Sequence, residues 1–407
     1  MFARVDPQMD LLLVTGRFPE RSETFIYRKA VGLAARGHRV TVAARQVGDW
    51  ALYTDPLPPS LRVVKLTPDS MLRQPRRALL AMSSTLRTMA RAPKATRGLV
   101  RSVRGTDHAV SQFLRHLGLL DLRTDVVHLE NLSLAAMYPF AAASVGAPVV
   151  VSCRGSDVHT LEQAPPKERE ASVTAIRNAA AVHCVSQRMA DEVARLSGRT
   201  KGLWVNRPAV DVERILPRPI NGGADGPVRL LTTGRLVWKK GFDYLLAALA
   251  VLVRRGVDFQ MEILGDGPLW SYMRFSIGDL GLERHVKLVG AVASAEVLAR
   301  LQSTDLFVLS SVAEGISNAV LEAMASGVPV VTTSAGGMAE AVTDGVEGFV
   351  VGVRDVTMLA TRIATLIGDH EIRRTMGRAA RARAVAEFSL TRQLATFEQI
   401  YQSVQER

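Results

Sequence analysis

Cysteine is nearly missing from this chain of 407 residues, which has only Cys153 and Cys184. Each sits in a short apolar run ("VVVSC", "AVHCVS"), so no disulfide framework is expected and reduced thiols are the simpler reading. The eight histidines show no paired spacing suited to a metal, so no metal site is expected. Aromatic residues make up 5% of the chain. The most basic stretch holds a single one, Phe113, which argues against base stacking and against nucleic acid as a partner. The opening run "MFARVDPQMDLLLVTGR" carries acids and only a short apolar run before Gly16, so it does not read as a signal peptide. One uncharged stretch, between Glu130 and Arg154, is long enough to cross a bilayer. Pro139, Gly146 and Pro148 cut it into a short helix, a turn and a strand, so no transmembrane helix is expected.

What is present is a folded globular composition, 47% hydrophobic and 22% charged, long enough for two domains of ordinary size. Strand-like and helix-like runs alternate, which argues for parallel sheets with crossover helices. Strands are expected at 9–15, 38–45, 124–129, 146–153, 180–186 and 201–206. The stretch 207–229, rich in Pro, Gly and Asp, reads as a domain linker. The pattern restarts at 228–235 and continues at 259–265, 286–290, 305–311, 328–334 and 348–351. After that only helical patterns follow. The expected fold is α/β, with two doubly wound, Rossmann-like domains over 1–206 and 207–389. A last helix, within 390–407, is expected to return to the first domain. Ligands in such sheets bind outside the carboxyl ends of the strands, and a cleft between the domains is the default site.

Charge is uneven. The net charge is +12, and Arg73 to Arg115 alone holds ten Lys or Arg against one acid, Asp107. Leu79, Leu80, Met82, Leu86 and Met89 recur there at roughly helical spacing between arginines. That pattern suits either an amphipathic helix on an anionic membrane or a solvated helical face.

The chemistry concentrates in "EGISNAVLE", Glu314 to Glu322. Ser317 or Asn318 can cap a helix that Gly327 and Pro329 end. The amides of its first turn form a ready anion site. Carboxylates beside a phosphate repel it, so Glu314 and Glu322 suit hydroxyl donors on either side of a diphosphate. A ligand of that description is a nucleotide-sugar. In "TTGRLVWKKG", Gly234 and Arg235 end a strand, and Lys240 and Gly241 open the next helix. Two cations converging on a strand end suit a diphosphate leaving group. The glycine-rich turn "SAGGMAE" could bring backbone close to the ligand or be a plain turn.

Together "GRLVWKKG", "GDGP", "VKLVGAV" and "SSVAEGISNAVLEAMASGVPVVTTSAGGMAEAV" resemble the retaining GT-B glycosyltransferases of family 4, over essentially all of 228–351. "FPERSETFIYRKAVGLAARGHRVTVAA" is similar to members that build bacterial surface polysaccharides. The resemblance implies that Glu314 contacts the donor sugar's hydroxyls, Glu322 the ribose, and Arg235 and Lys240 the diphosphate. The amides of Gly315, Ile316, Ser317 and Asn318 would complete the cradle, with Gly234 beside it. Gly16 would lie near the donor phosphate, and Ser22 and Thr24 would open the first helix. Where many members carry a histidine before a glycine, this chain has Arg154. His128 or His159 are candidate substitutes, and with Arg154, Ser22 and Thr24 they are candidate acceptor or sugar contacts, although a lone histidine at a strand end is more often structural.

The resemblance further implies transfer with retention, assisted by the departing diphosphate, with no protein nucleophile, no cofactor and no metal. Expected partners are a nucleotide-diphosphate sugar, an acceptor that is a saccharide, a lipid-linked or a small molecule, and an anionic membrane surface. The expected location is cytoplasmic, with the inner face of the cell membrane as a peripheral site. Rival readings are a natural-product glycosyltransferase, a nucleotide-sugar epimerase of the same architecture and a non-catalytic sugar-nucleotide-binding protein. A dehydrogenase is disfavoured because "VTGRFPERSE" lacks the G-x-G-x-x-G fingerprint.

Overall fold

A computed structural model describes residues 8–20, 23–50, 56–66, 89–106, 109–219 and 226–406. The chain divides into two compact units, one formed by 1–184, 190–205 and 394–407, the other by 185–189 and 206–393.

The first unit holds a seven-stranded parallel sheet in the order β3-β2-β1-β4-β5-β6-β7. Its strands are β1 (Asp10–Phe18), β2 (Arg39–Val47), β3 (Leu61–Lys65), β4 (Val126–Leu129), β5 (Val149–Cys153), β6 (Ala181–Cys184) and β7 (Leu203–Val205). Residues Leu11 to Val14 of β1 are buried on both faces, as a central parallel strand covered by helices requires. The following helix, Thr24–Ala35, buries Ile26, Lys29, Ala30, Leu33 and Ala34, a stripe of helical period. Lys29 is the anomaly in that stripe. The helix Leu390–Gln405 supplies the buried Leu394, Phe397, Tyr401 and Val404, all within the first unit. Both guanidinium ends of Arg36 reach Glu398 at 2.7 Å, and His38 Nε2 lies 3.0 Å from the same carboxylate.

The second unit holds a six-stranded parallel sheet in the order β10-β9-β8-β11-β12-β13. These are β8 (Val228–Thr233), β9 (Phe259–Leu264), β10 (Val286–Gly290), β11 (Leu306–Leu309), β12 (Val330–Thr333) and β13 (Gly348–Val351). Strands β11 and β12 are buried throughout, again the signature of a covered parallel sheet. Both sheets therefore reverse winding direction at one gap, β1/β4 in the first and β8/β11 in the second.

Three expectations need correction. Strand β3 was not anticipated; it is a half-exposed edge strand and carries little of the continuous apolar signal that marks its neighbours. The stretch read as a linker is packed over its described part, since Val210, Val212 and Ile215 are buried. Val210 donates to Phe388 O at 2.9 Å and accepts from Leu390 N at 3.0 Å. The uncharged stretch after Glu130 forms two short helices, Leu132–Met137 and Ala141–Val145, before β5. Pro139 divides them, because proline disfavours helix at the residue before it.

Of the basic block, residues 73–88, 107 and 108 lie outside the described residues, and with them the part of the expected helix carrying Leu79, Leu80, Met82 and Leu86. Downstream, the helix Pro93–Val103 buries Thr96, Leu99 and Val103 and leaves Lys94, Arg97, Arg101 and Arg104 exposed. Among the described residues, no helix is long and apolar enough to cross a membrane.

Candidate active site

In the second unit the loops that leave the carboxyl ends of β8, β9, β11 and β12 meet at the β8/β11 gap, the place where open α/β sheets bind ligands. Lys240 arrives from the β8 side and Glu314 from the β11 side. Lys240 Nζ pairs with Glu314 Oε1, and Ser311 Oγ lies 3.3 Å from the same oxygen. The side chains of the pair are 15% and 14% exposed, so both are reachable from solvent. The Lys240 stem passes over Gly234, where an added Cβ would lie 3.2 Å from Lys240 Cε. Arg235 is exposed and has no side-chain partner among the described residues.

Backbone contacts that only glycine allows hold these loops together. Gly241 sits at φ +61°, and a Cβ there would come 2.2 Å from Ser310 O. Gly336 sits at φ +58°, and a Cβ there would come 1.7 Å from Glu314 O. Any side chain at either position would push the Glu314 loop away. Gly337 N donates to Gly315 O at 2.8 Å, so the "SAGGM" turn packs on the backbone of the Glu314 loop. Sequence reasoning had left that turn's role open, and it missed Ser311.

The helix Asn318–Ala325 starts directly after this loop, with Ser317 as its N-cap and no side-chain capping bond. Ser317 N–H donates to Met338 Sδ at 3.3 Å, so one amide of the expected cradle is already engaged. The amides of Gly315, Ile316 and Asn318 have no acceptor among the described residues, and Asn318 Oδ1 is buried without a hydrogen-bond partner. The Ile316 side chain belongs to the core, which leaves only its backbone for a ligand. Glu322 lies half-buried one turn inside the helix. The fold thus brings Gly234, Lys240, Glu314 and Gly315 together, with the helix start beside them.

The first unit is arranged differently. Gly16 lies in the carboxyl half of β1 with open space where a Cβ would go. Thr24 begins the first helix, and Ser22 lies outside the described residues. His159 ends the short helix Ser156–His159. Arg154 follows β5 and donates from Nε to Glu130 O at 3.0 Å and from Nη2 to Glu130 Oε2 at 2.9 Å. Its guanidinium stacks 4.3 Å over Phe25. Glu130 also pairs with Lys29, and both of those side chains are buried.

His128 is 1% exposed. Its Nε2 lies 2.7 Å from Ser152 Oγ and its Nδ1 2.8 Å from Tyr401 Oη. Both ring nitrogens are therefore occupied inside the core. Burial, and then the charges of Lys29 and Arg154, hold His128 well below its ordinary pKa, so the ring is neutral. Burial lowers Lys29 to about 8 against the pull of Glu130. Sequence reasoning missed Lys29, Glu130, Ser152 and Tyr401, each of which is unremarkable alone and far from the others along the chain.

With this geometry in hand, comparison with known proteins is informative. The family model "Glycosyl transferases group 1" matches residues 217–383, and the "Glycosyl transferase 4-like domain" matches residues 22–205. The chain is 36% identical over 186 residues to the "Putative colanic acid biosynthesis glycosyltransferase WcaL" of Escherichia coli K12, covering 44% of this chain and 46% of that protein. The match thus spans about half the length of that relative. It is 30% identical over 285 residues to the alpha-D-kanosaminyltransferase of Streptomyces kanamyceticus, covering 65% of this chain and 73% of that protein. In shape it is similar to HepE of Anabaena, crystallised with UDP and glucose. The TM-score is 0.73 at 20% identity, over 96% of this chain and 99% of that one. At that identity the likeness speaks for the GT-B fold alone.

Proposed function

From the premise that this chain belongs to the glycosyl transferases group 1 family, we propose that it moves a sugar from a nucleotide-diphosphate sugar to an acceptor hydroxyl with retention of anomeric configuration. The observation that carries this reading is the Lys240–Glu314 pair, set at the β8/β11 gap beside the start of the helix Asn318–Ala325. A lysine and a carboxylate at one point suit a ligand in which phosphate and sugar hydroxyls are neighbours.

Lys240 and Arg235 stabilise the charge that grows on the diphosphate as the glycosidic bond breaks, and the amides of Gly315, Ile316 and Asn318 add to it. Glu314 accepts from the donor sugar's hydroxyls and Glu322 from the ribose. The departing diphosphate assists the incoming hydroxyl on the same face, so no side chain has to act as nucleophile. Fixed cations and helix amides make a metal ion unnecessary in this scheme.

Surface-polysaccharide assembly is the favoured setting, supported by the colanic acid relative and by the "SETF" segment. The exposed Lys94, Arg97, Arg101 and Arg104 favour peripheral contact with an anionic membrane near a lipid-linked acceptor. A thermal-shift screen against UDP-, GDP-, ADP- and TDP-sugars tests the donor class, because a ligand of the folded state raises apparent stability. Product analysis with the donor alone follows. Conversion of the donor without any acceptor would favour an epimerase, and no turnover of any donor would contradict catalysis.

A further inference from the structure

The second unit has a cavity of about 340 Å³ at the amino ends of its strands, the opposite end of the sheet from Lys240 and Glu314. It lies where the helix Asn318–Ala325 ends and the helix His370–Glu387 begins. Its walls carry Arg218, His370, Arg373, Arg374, Arg378 and Arg381. Among the described residues no carboxylate lines it.

Two of these guanidiniums are fixed by hydrogen bonds to backbone carbonyls, with Asp305 and Asp369 acting on Arg373 only through space. Arg373 Nη1 donates to Leu366 O and Ile367 O at 2.5 and 2.8 Å, at the end of the helix Val356–Gly368. Arg381 donates to Ile215 O at 2.9 Å, to Val212 O at 3.0 Å and to Ala325 O. Helix carboxyl ends attract cations, but each offers only about half a charge. Arg373 Nε remains buried without a hydrogen-bond partner, and burial lowers the pKa of both arginines. Among the described residues, Arg218 pairs with Asp305 at 3.3 Å and Arg374 with Glu371 at 2.6 Å, and His370 Nδ1 lies 3.7 Å from Glu371. Arg378 is exposed with no partner among the described residues. A cavity with fixed guanidinium donors and surplus positive charge is built for a multiply charged anion, and planar guanidinium forks match phosphate oxygens best.

We propose that this cavity is a second anion site, which binds a phosphomonoester or diphosphate group. The inference does not rest on the glycosyl-transfer reading. Arg381 holds Ala325 O, the far end of the helix whose start borders Glu314, so an anion here would meet a guanidinium bonded to the other end of that helix.

The test uses the full chain carrying Arg235→Gln and Lys240→Gln, which removes the cations at the other end of the sheet. Inorganic pyrophosphate is titrated into it calorimetrically in EDTA at constant ionic strength. Binding is expected, and it should weaken by about tenfold or more when Arg374→Gln and Arg378→Gln are added, the scale of one lost charge-assisted contact. A parallel arm measures co-sedimentation with phosphatidic acid vesicles against phosphatidylcholine vesicles. Pyrophosphate binding sensitive to the two arginines assigns a soluble phosphate ligand; sensitive vesicle binding alone assigns a lipid headgroup. Should the double substitution lower the melting temperature, Arg378→Gln alone gives the comparison. No binding in either arm, or binding indifferent to these arginines, overturns the proposal.

Discussion

Each sheet sets a lysine from beyond its first strand against a glutamate from across its winding gap, and the two pairs have opposite fates. Lys29 and Glu130 are 2% and 0% exposed, whereas Lys240 and Glu314 are 15% and 14% exposed. In the first unit the pair is sealed beneath the C-terminal helix, with Lys29 Nζ 4.5 Å from the Phe397 ring, and it is tied to Arg154 and His128. In the second unit it stands beside glycine turns and a helix start. One topological position serves a buried polar core in one case and, in the proposed function, a ligand site in the other. What separates them is how much side chain covers the pair. Burial has an electrostatic consequence, since it drives Lys29 to about 8 and keeps His128 neutral.

If the comparison is right, the first pair answers to stability and the second to activity. Glu130→Ala should destabilise the fold by about 3–5 kcal/mol, because it leaves Lys29 buried without its counter-charge. Urea unfolding measures this, and a loss below about 1 kcal/mol would break the contrast. Glu314→Gln should leave the urea midpoint unchanged and slow sugar transfer by roughly three orders of magnitude. Arg235→Ala and Lys240→Ala should each cost about two to three orders of magnitude in turnover, with EDTA making no difference. Activity lost in EDTA and restored by Mg²⁺ would transfer that role to a metal.

The smallest effect is a pH dependence. In the folded chain Lys29 releases its proton near 8, against an ordinary value of 10.5. Between those values the unfolded chain binds the extra proton, so this residue makes stability rise with pH across the window. Lys29→Met should remove that rise in denaturant titrations from pH 8 to 10.5. An identical slope in both proteins would mean that Lys29 is not carrying it.

How legible all this was depended on sequence distance. Glu314 to Glu322 sit within one loop and one helical turn, so their local pattern marks a candidate site before any tertiary fold is known. The strands flanking them are buried on both faces and read as continuous apolar runs. The first unit's network had no such advantage. Residues 29, 128, 130, 152 and 401 meet only in three dimensions, and a lysine on the apolar stripe of a helix looks like a surface residue. His128, offered by sequence as a sugar contact, proved to be enclosed by that network. Edge strand β3 was hidden because only part of it is covered, and Val210, Val212 and Ile215 were masked by the prolines around them.

The most direct measurement is calorimetric binding of the cognate nucleoside diphosphate in EDTA, comparing the unaltered chain with Lys240→Ala and with Lys29→Met. The account predicts metal-free binding that weakens by about tenfold or more in Lys240→Ala, the loss of one charged contact, and is unchanged in Lys29→Met. Binding that requires a divalent metal, or that ignores Lys240, would contradict it.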